Sequence, residues 1–365
     1  MRHLRALVVG CAVAGLTLAS PGVASAHPKH SKPRGPVVLS TDVGAPFNLE
    51  IDGPHVLVAD GGPGYVGKVG RGGSVIPLVT GVPGASGVAT RGAWLAYTST
   101  VTNEETFENS ASGLNVRRPG GRTVYADTTA YEAAHNPDGT NQYGPRSNDP
   151  CVVATVGPRY TGALDSHAYS VAANRNGWLV ADAGANDLLA VSDSGRISTV
   201  ATFPAQPTTV TQEQADALGM PGCMVGVTYD FEPVPTDVEV GPGGSIYVTT
   251  LPGGPEGPEL GARGSLWKVN PSRHSVTRIA TGFAGATNLA IGKHGEVYVA
   301  ELFGGKVSVV NTRGVSKFVD LPGVVSVETA ANGTVYAGTM GADESTPGSI
   351  VKISQGKIHW RKAIH

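Results

Sequence analysis

Apolar and polar positions alternate along this chain in short runs, and the alternation returns in one register. Residues 48–60 read NLEIDGPHVLVAD, 288–301 NLAIGKHGEVYVAE, 237–250 DVEVGPGGSIYVTT and 170–182 SVAANRNGWLVAD. Weaker copies are GVATRGAWLAYT at 87–98 and SVETAANGTVYAGT at 326–339. Each copy is a strand, a Gly-containing turn and a second strand with an aromatic residue or Leu near its centre, which is hairpin chemistry. Two more strand-like runs follow each copy, such as 66–69 with 74–80, or 306–310 with 315–320.

Four antiparallel strands written six times predict an all-β, six-bladed β-propeller. One repeat cannot bury both faces of its sheet, whereas stacking neighbours around an axis does so. A sandwich also uses short strands but does not require the register to recur. The stretch Val37-Val38-Leu39-Ser40-Thr41 resembles an outer strand with no blade before it. It is expected to pair with residues 349–353 and close the last blade, with 357–360 competing for that place.

In such blades the first-to-second and third-to-fourth turns share one end; the second-to-third loops and the crossovers share the other. The first group is tight throughout, as at Asp52-Gly53, 174–177, 192–195 and 293–295. The second group holds every insertion: 99–112, 251–264, 341–348, and two long crossovers at 131–165 and 205–235. Binding sites are normally built on loops carried by a rigid scaffold, so this decorated side is where recognition is expected. The two crossovers are read as a cap, each opening with a capping-box pattern, Thr129 with Glu132 and Thr211 with Gln214. The second helix should end near Gly219.

The start of the chain changes the picture of where the protein works. Arg2 and Arg5 precede an apolar run ending near Ala19, and Ala24-Ser25-Ala26 supplies small residues for cleavage, so 1–26 reads as a signal peptide. The run is too short to cross a bilayer. Val8-Val9-Gly10-Cys11 resembles a lipoprotein box, but too few apolar residues precede it. Residues 27–36, with His27 and His30, read as a disordered lead-in, and 37–365 as one propeller domain. The mature chain then carries a net charge of −4, against nucleic acid and anionic membranes as partners. Glycine supplies 51 of 365 residues and charged residues only 15%, a turn-rich composition. Cys151 and Cys223 remain in an exported chain and most simply form one disulfide stapling the two cap inserts; two buried thiols are the alternative.

Aligning the repeats gives one column near the start of each innermost strand: Asn48, Gly87, Ser170, Asp237, Asn288 and Ser326. These positions would ring the channel near a mouth. The oxygens of Asn48, Asp237 and Asn288 suit a hard cation such as Ca2+, and Glu50, Glu239 and Glu328 recur two positions on. The plainer role for small polar residues there is hydrogen bonding to neighbouring strands. Asp165-Ser166-His167 holds the residue types of a catalytic triad, but adjacency in sequence does not set a base beside a nucleophile. The chain has no Gly-x-Ser-x-Gly elbow and no His-Glu-x-x-His zinc motif.

A run of motifs carries a resemblance. It comprises Tyr131-Glu132, Asn136-Pro137-Asp138-Gly139, Asp165-Ser166 with Tyr169, Asp182-Ala183-Gly184 with Asn186-Asp187, and Pro233-Val234-Pro235-Thr236 leading into Gly241-Pro242-Gly243-Gly244. By these the chain resembles the secreted ScyD/ScyE family over nearly all of its mature length. The resemblance implies an exported propeller and no established reaction. His167-Ala168 stands where that family usually has Asn-Pro. More distantly the repeat is similar to NHL repeats and to calcium-dependent lactonases and phosphotriesterases, yet Val43-Gly44-Ala45-Pro46 lacks the glutamate those enzymes place before the first blade. Three functions follow as expectations: a binding or accessory module for a small molecule or envelope partner, with Asp165, His167 and Tyr169 as cap contacts; a calcium-dependent hydrolase at the channel mouth; and a protein–protein scaffold.

Overall fold

The computed structural model describes residues 35–353 apart from 104, 256 and 344. The leader, His27, His30 and the 357–360 stretch lie outside the described residues. Nearly all regular structure is β, in seven four-stranded antiparallel sheets. Sheets I to V occupy residues 46–80, 88–127, 168–202, 235–283 and 286–320, and each pairs its strands in chain order. Sheet VI takes three strands from 324–353 and its outermost from Val37–Val43, which runs antiparallel to Gly348–Ile353 with Val37 opposite Lys352. The first strands of these six sheets touch in a cyclic series, I to VI and back to I.

Alternation explains the packing. Inward residues of each sheet meet those of the next, and every junction has its own apolar cluster. Leu188, Phe203, Val238 and Trp267 fill the space between sheets III and IV. Val307, Leu321, Val327 and Val351 do so between V and VI. At the closing junction Val43, Leu49, Val58 and Ile350 bring the N-terminal strand, sheet I and sheet VI together. Each such large buried side chain contributes about 1.5–3 kcal/mol.

The seventh sheet is not foreshadowed by the repeats. It joins Tyr160–Thr161 and Gln142–Pro145 of the first insert to Thr228–Phe231 and Gln206–Thr209 of the second, with Gly144 opposite Asp230. The expected Cys151–Cys223 disulfide links the same two inserts. Buried Asp230 accepts a two-pronged pair from Arg146, at 2.9 and 2.7 Å, and a third bond from Arg159 at 3.0 Å. Val152, Val210, Ala215 and Met224 form a core belonging to this cap.

Two readings of local structure need correction, and one helix was not expected. The helix α1 (Thr128–His135) is capped by Asp127, whose side chain accepts from Ala130 N–H, so Thr129 and Glu132 fall inside it instead of forming a capping box. Asp127 lies one residue before the helix and offers the stronger acceptor. The stretch 99–112 is mostly strand, since Trp94–Thr102 and Asn109–Arg117 continue through it. Its small hydroxyl residues pair across the hairpin, as Thr100 does with Ser112 at 3.0 Å. A helix without a sequence expectation, α2 (Pro150–Val156), starts from Asp149 and carries Cys151. By contrast α3 (Gln212–Ala217) has the full Thr211–Gln214 capping box and stops just before Gly219.

Candidate functional site

The polar column is buried and fully engaged. Asn48 Oδ1 accepts from Val88 N–H at 3.2 Å, joining sheets I and II. At Gly87 a Cβ would sit 2.9 Å from Ser170 Cα, so only glycine lets sheets II and III approach there. Ser170 Oγ donates to Asp237 Oδ1, and Asp237 Oδ2 accepts from Leu289 N–H at 2.8 Å, joining III to IV and IV to V. Asn288 Oδ1 accepts from Val327 N–H at 2.7 Å, and Ser326 Oγ donates to Pro46 O at 2.6 Å, returning to sheet I. Each of the six junctions thus has a contact from this column. Because buried backbone N–H groups must be satisfied, this belt holds the ring in register.

Two residues on, at the same side of each strand, lie Glu50, Glu239 and Glu328. Burial lifts Glu50 to about 7, against the pull of its Thr90 hydrogen bonds. Burial likewise lifts Asp237 to about 7. Glu239 and Glu328 are held well above the ordinary carboxylate range, first by burial and then by repulsion from the other acids of the group.

A cleft of about 310 Å³ opens where four loop segments meet. Thr102, Phe107, Glu108 and Asn109 come from the sheet II hairpin, and residues 163–165 with His167 from the crossover into sheet III. Ala183 and Gly184 come from the loop inside sheet III, and Glu232 and Val234 from the crossover into sheet IV. These are second-to-third loops and crossovers, the class that the repeat assigns to one side. Asp165 is held by Asn109 Nδ2 at 3.1 Å. His167 is half-buried in the wall; burial pushes its imidazole down to about 4, against the attraction of Asp165, so it is neutral at pH 7. Its ring meets Tyr169 edge-on at 5.4 Å, and Tyr169 reaches Phe47 of sheet I at 6.1 Å. This aromatic series connects the cleft to the polar belt.

Buried Asp182, the last residue of its strand, shapes the cleft floor. It accepts from His167 N–H at 2.6 Å, Gly184 N–H at 3.2 Å and Ala185 N–H at 3.1 Å. Ser166 Oγ lies 2.7 Å from both Asp182 Oδ2 and Thr128 Oγ1 and is buried. Ser166 therefore faces away from the cleft that Asp165 and His167 line, and the three do not form a nucleophile–base–acid series. Of the expected cap contacts, Asp165 and His167 line the cleft while Tyr169 packs behind His167, and Glu108, Asn109 and Glu232 line it without a sequence expectation; their position in lengthened loops was the available signal. A separate apolar hollow beside the cap, lined by Met224, Phe231 and Leu260 among others, has about 40 Å³, room for a few waters only.

No protein-family model matches the chain, and no curated protein sequence does. Among the described residues no helix is long and apolar enough to cross a membrane. Similar solved structures include the PQQ-bound aldose sugar dehydrogenase of Streptomyces coelicolor, at 12% identity and TM-score 0.54 over 87% of this chain and 96% of that one. A glucose-dehydrogenase-like oxidoreductase of Thermus thermophilus matches at 14% and TM-score 0.52, over 87% and 99%. Virginiamycin B lyase from Staphylococcus aureus matches at 11% and TM-score 0.47, over 90% and 87%. At these identities the likeness concerns the fold alone, and the chain is similar in fold to β-propeller proteins.

Proposed function

We propose that the protein is an exported six-bladed β-propeller, closed by Val37–Val43 as the outer strand of the last blade, that binds a small polar molecule in the loop-side cleft. The seventh sheet is a cap over that side. The resemblance to the ScyD/ScyE family, with its exported propellers and no established reaction, agrees with this reading. The observation that carries it is the convergence of four separate loop segments on one polar cleft. Asp165, Glu108 and Glu232 supply acceptors, neutral His167 a donor or acceptor, and exposed Phe107 and Leu164 an apolar rim. A few placed polar groups beside apolar surface suit a hydroxyl-rich ligand such as a polyol or sugar. The fold does not choose a reaction, since one fold hosts many.

Calorimetric titration with a panel of monosaccharides and polyols tests the reading. Binding that falls at least ~10-fold in Asp165→Asn, the scale of one charge-assisted hydrogen bond, supports it. A panel without binders, or binding indifferent to Asp165→Asn and His167→Ala, overturns it.

The hydrolase alternative would place Ca2+ on Asn48, Asp237 and Asn288. Each of these already gives an oxygen to a neighbouring strand's N–H, which favours the structural role. Calcium-dependent lactone turnover lost in Asp237→Ala and Asn288→Ala would favour the enzyme instead. The scaffold alternative calls for a protein partner on the same side, and competition by that partner for the cleft would favour it.

A further inference from the structure

Among the described residues, eight buried side-chain polar atoms have no hydrogen-bond partner. All but Arg118 Nε are oxygens of Thr129, Glu132, Asn136, Asp138 and Asp187. Both carboxylate oxygens of Glu132 and both of Asp187 are in this state, and the two residues are 2% and 0% exposed. Unpartnered buried oxygens are rare in folded proteins, and each one needs an explanation. The carboxylates of Glu132, Asp138 and Asp187 lie near one another, where α1 and the turn after it meet the 182–187 loop of sheet III, and Thr129 and Asn136 flank Glu132 along the chain.

Hydrogen bonds tie the segments together there. Asp138 Oδ2 accepts from Asn186 Nδ2 at 2.9 Å and from Tyr143 OH at 3.0 Å, leaving Oδ1 free. Asn136 Nδ2 donates to Gly162 O at 3.3 Å, which leaves its Oδ1 as the unpartnered atom. A Cβ on Gly162 would fall 1.9 Å from Asp138 Oδ1, so the backbone is pressed against this carboxylate. None of the ion pairs among the described residues involves Glu132, Asp138 or Asp187. Burial first, and then repulsion from neighbouring acids that include Asp138, raises both Asp187 and Glu132.

Buried carboxylates without a cationic side chain coordinate metals or take up protons. From this geometry we infer a hard-cation site, for Ca2+, built from Glu132, Asp138 and Asp187 with Asn136 and Thr129. The donor set is all oxygen, mixing carboxylates, an amide and a hydroxyl, which suits Ca2+ in its irregular coordination better than Mg2+. No three of these acids bring one oxygen each within 4.8 Å of one another, so coordination at this site requires the side chains to close on the ion. The site is separate from the belt that includes Asp237. Its role is to clamp the first cap insert onto the loop that Asp182 organises beneath the cleft. It does not rest on the cleft binding a polyol.

Metal analysis and thermal unfolding of the mature protein, with Ca2+ or EDTA, test the site. We expect about one Ca2+ per chain, and a Tm roughly 5 °C higher at saturating Ca2+ than in EDTA. Glu132→Gln and Asp187→Asn keep the side-chain shapes and should retain the fold, lose the ion and unfold at a temperature indifferent to Ca2+. Asp237→Asn should keep the ion. Absence of bound metal together with no Ca2+ response in the native sequence overturns the inference and assigns the cluster to protons or water. Loss of the ion in Asp237→Asn with retention in Asp187→Asn overturns it equally, by moving the ion to the ring's axis.

Discussion

The ring of six sheets and the cap reach stability by different means. At each junction of the ring the same solution returns: an apolar cluster between sheets and one contact from the polar column. The cap has strands of two to four residues and a small core. It relies on a disulfide across 72 residues and on Asp230 held between two arginines. Repetition lets many modest junctions add up, while a small sheet without neighbours needs covalent and ionic staples. The cleft lies where the two meet, with a floor belonging to the ring and walls supplied by inserts.

The largest test of this contrast is removal of the staple. Replacing Cys151 and Cys223 together by Ser should cost about 4 kcal/mol on loop-closure grounds, confined to the cap. Hydrogen exchange reads this directly: amides of the Gly144–Asp230 pairing speed up while those of sheet V do not. Equal acceleration in both would show one cooperative unit and break the comparison. In the ring, Leu188→Ala empties the junction between sheets III and IV and should cost about 3 kcal/mol. Its effect should appear in the main calorimetric transition, with the cap unfolding no later than the ring.

A smaller effect sharpens the electrostatic side. The folded pKa of Glu50 is raised from 4.5 to about 7, so the folded state holds the extra proton between those values. The carboxylate costs nothing while protonated below about 4.5, and its penalty grows as pH rises through 7. Glu50→Gln keeps an oxygen for Thr90 and should gain about 2 kcal/mol at pH 8 and almost nothing at pH 4. An equal gain at both pH values would remove the charge argument.

The ring was legible because its signal is periodic. A register written six times states which positions face inward, and the residues of the polar column lie at equivalent places, one at each junction between sheets. Hydrogen bonding between sheets is one of the two roles the residue types allow, and only the packing reveals these bonds. The cap was legible in part. Thr211 and Gln214 form a capping box locally, whereas Thr129 and Glu132 match the same pattern and lose to Asp127 just upstream. Gln142–Pro145 and Thr228–Phe231 are too short to be read as strands, and their pairing spans more than eighty residues of chain.

Local alternation and turn residues were sufficient to determine an all-β chain with hairpins in a recurring register, and two cysteines to predict a staple between two inserts that the structure contains. Which loops converge on one cleft, which acids share buried space without a cation, and which way Ser166 turns were decided by the tertiary structure alone. The reason is physical. Strand periodicity is a property of neighbours along the chain, while burial and charge depend on whatever the rest of the fold brings alongside.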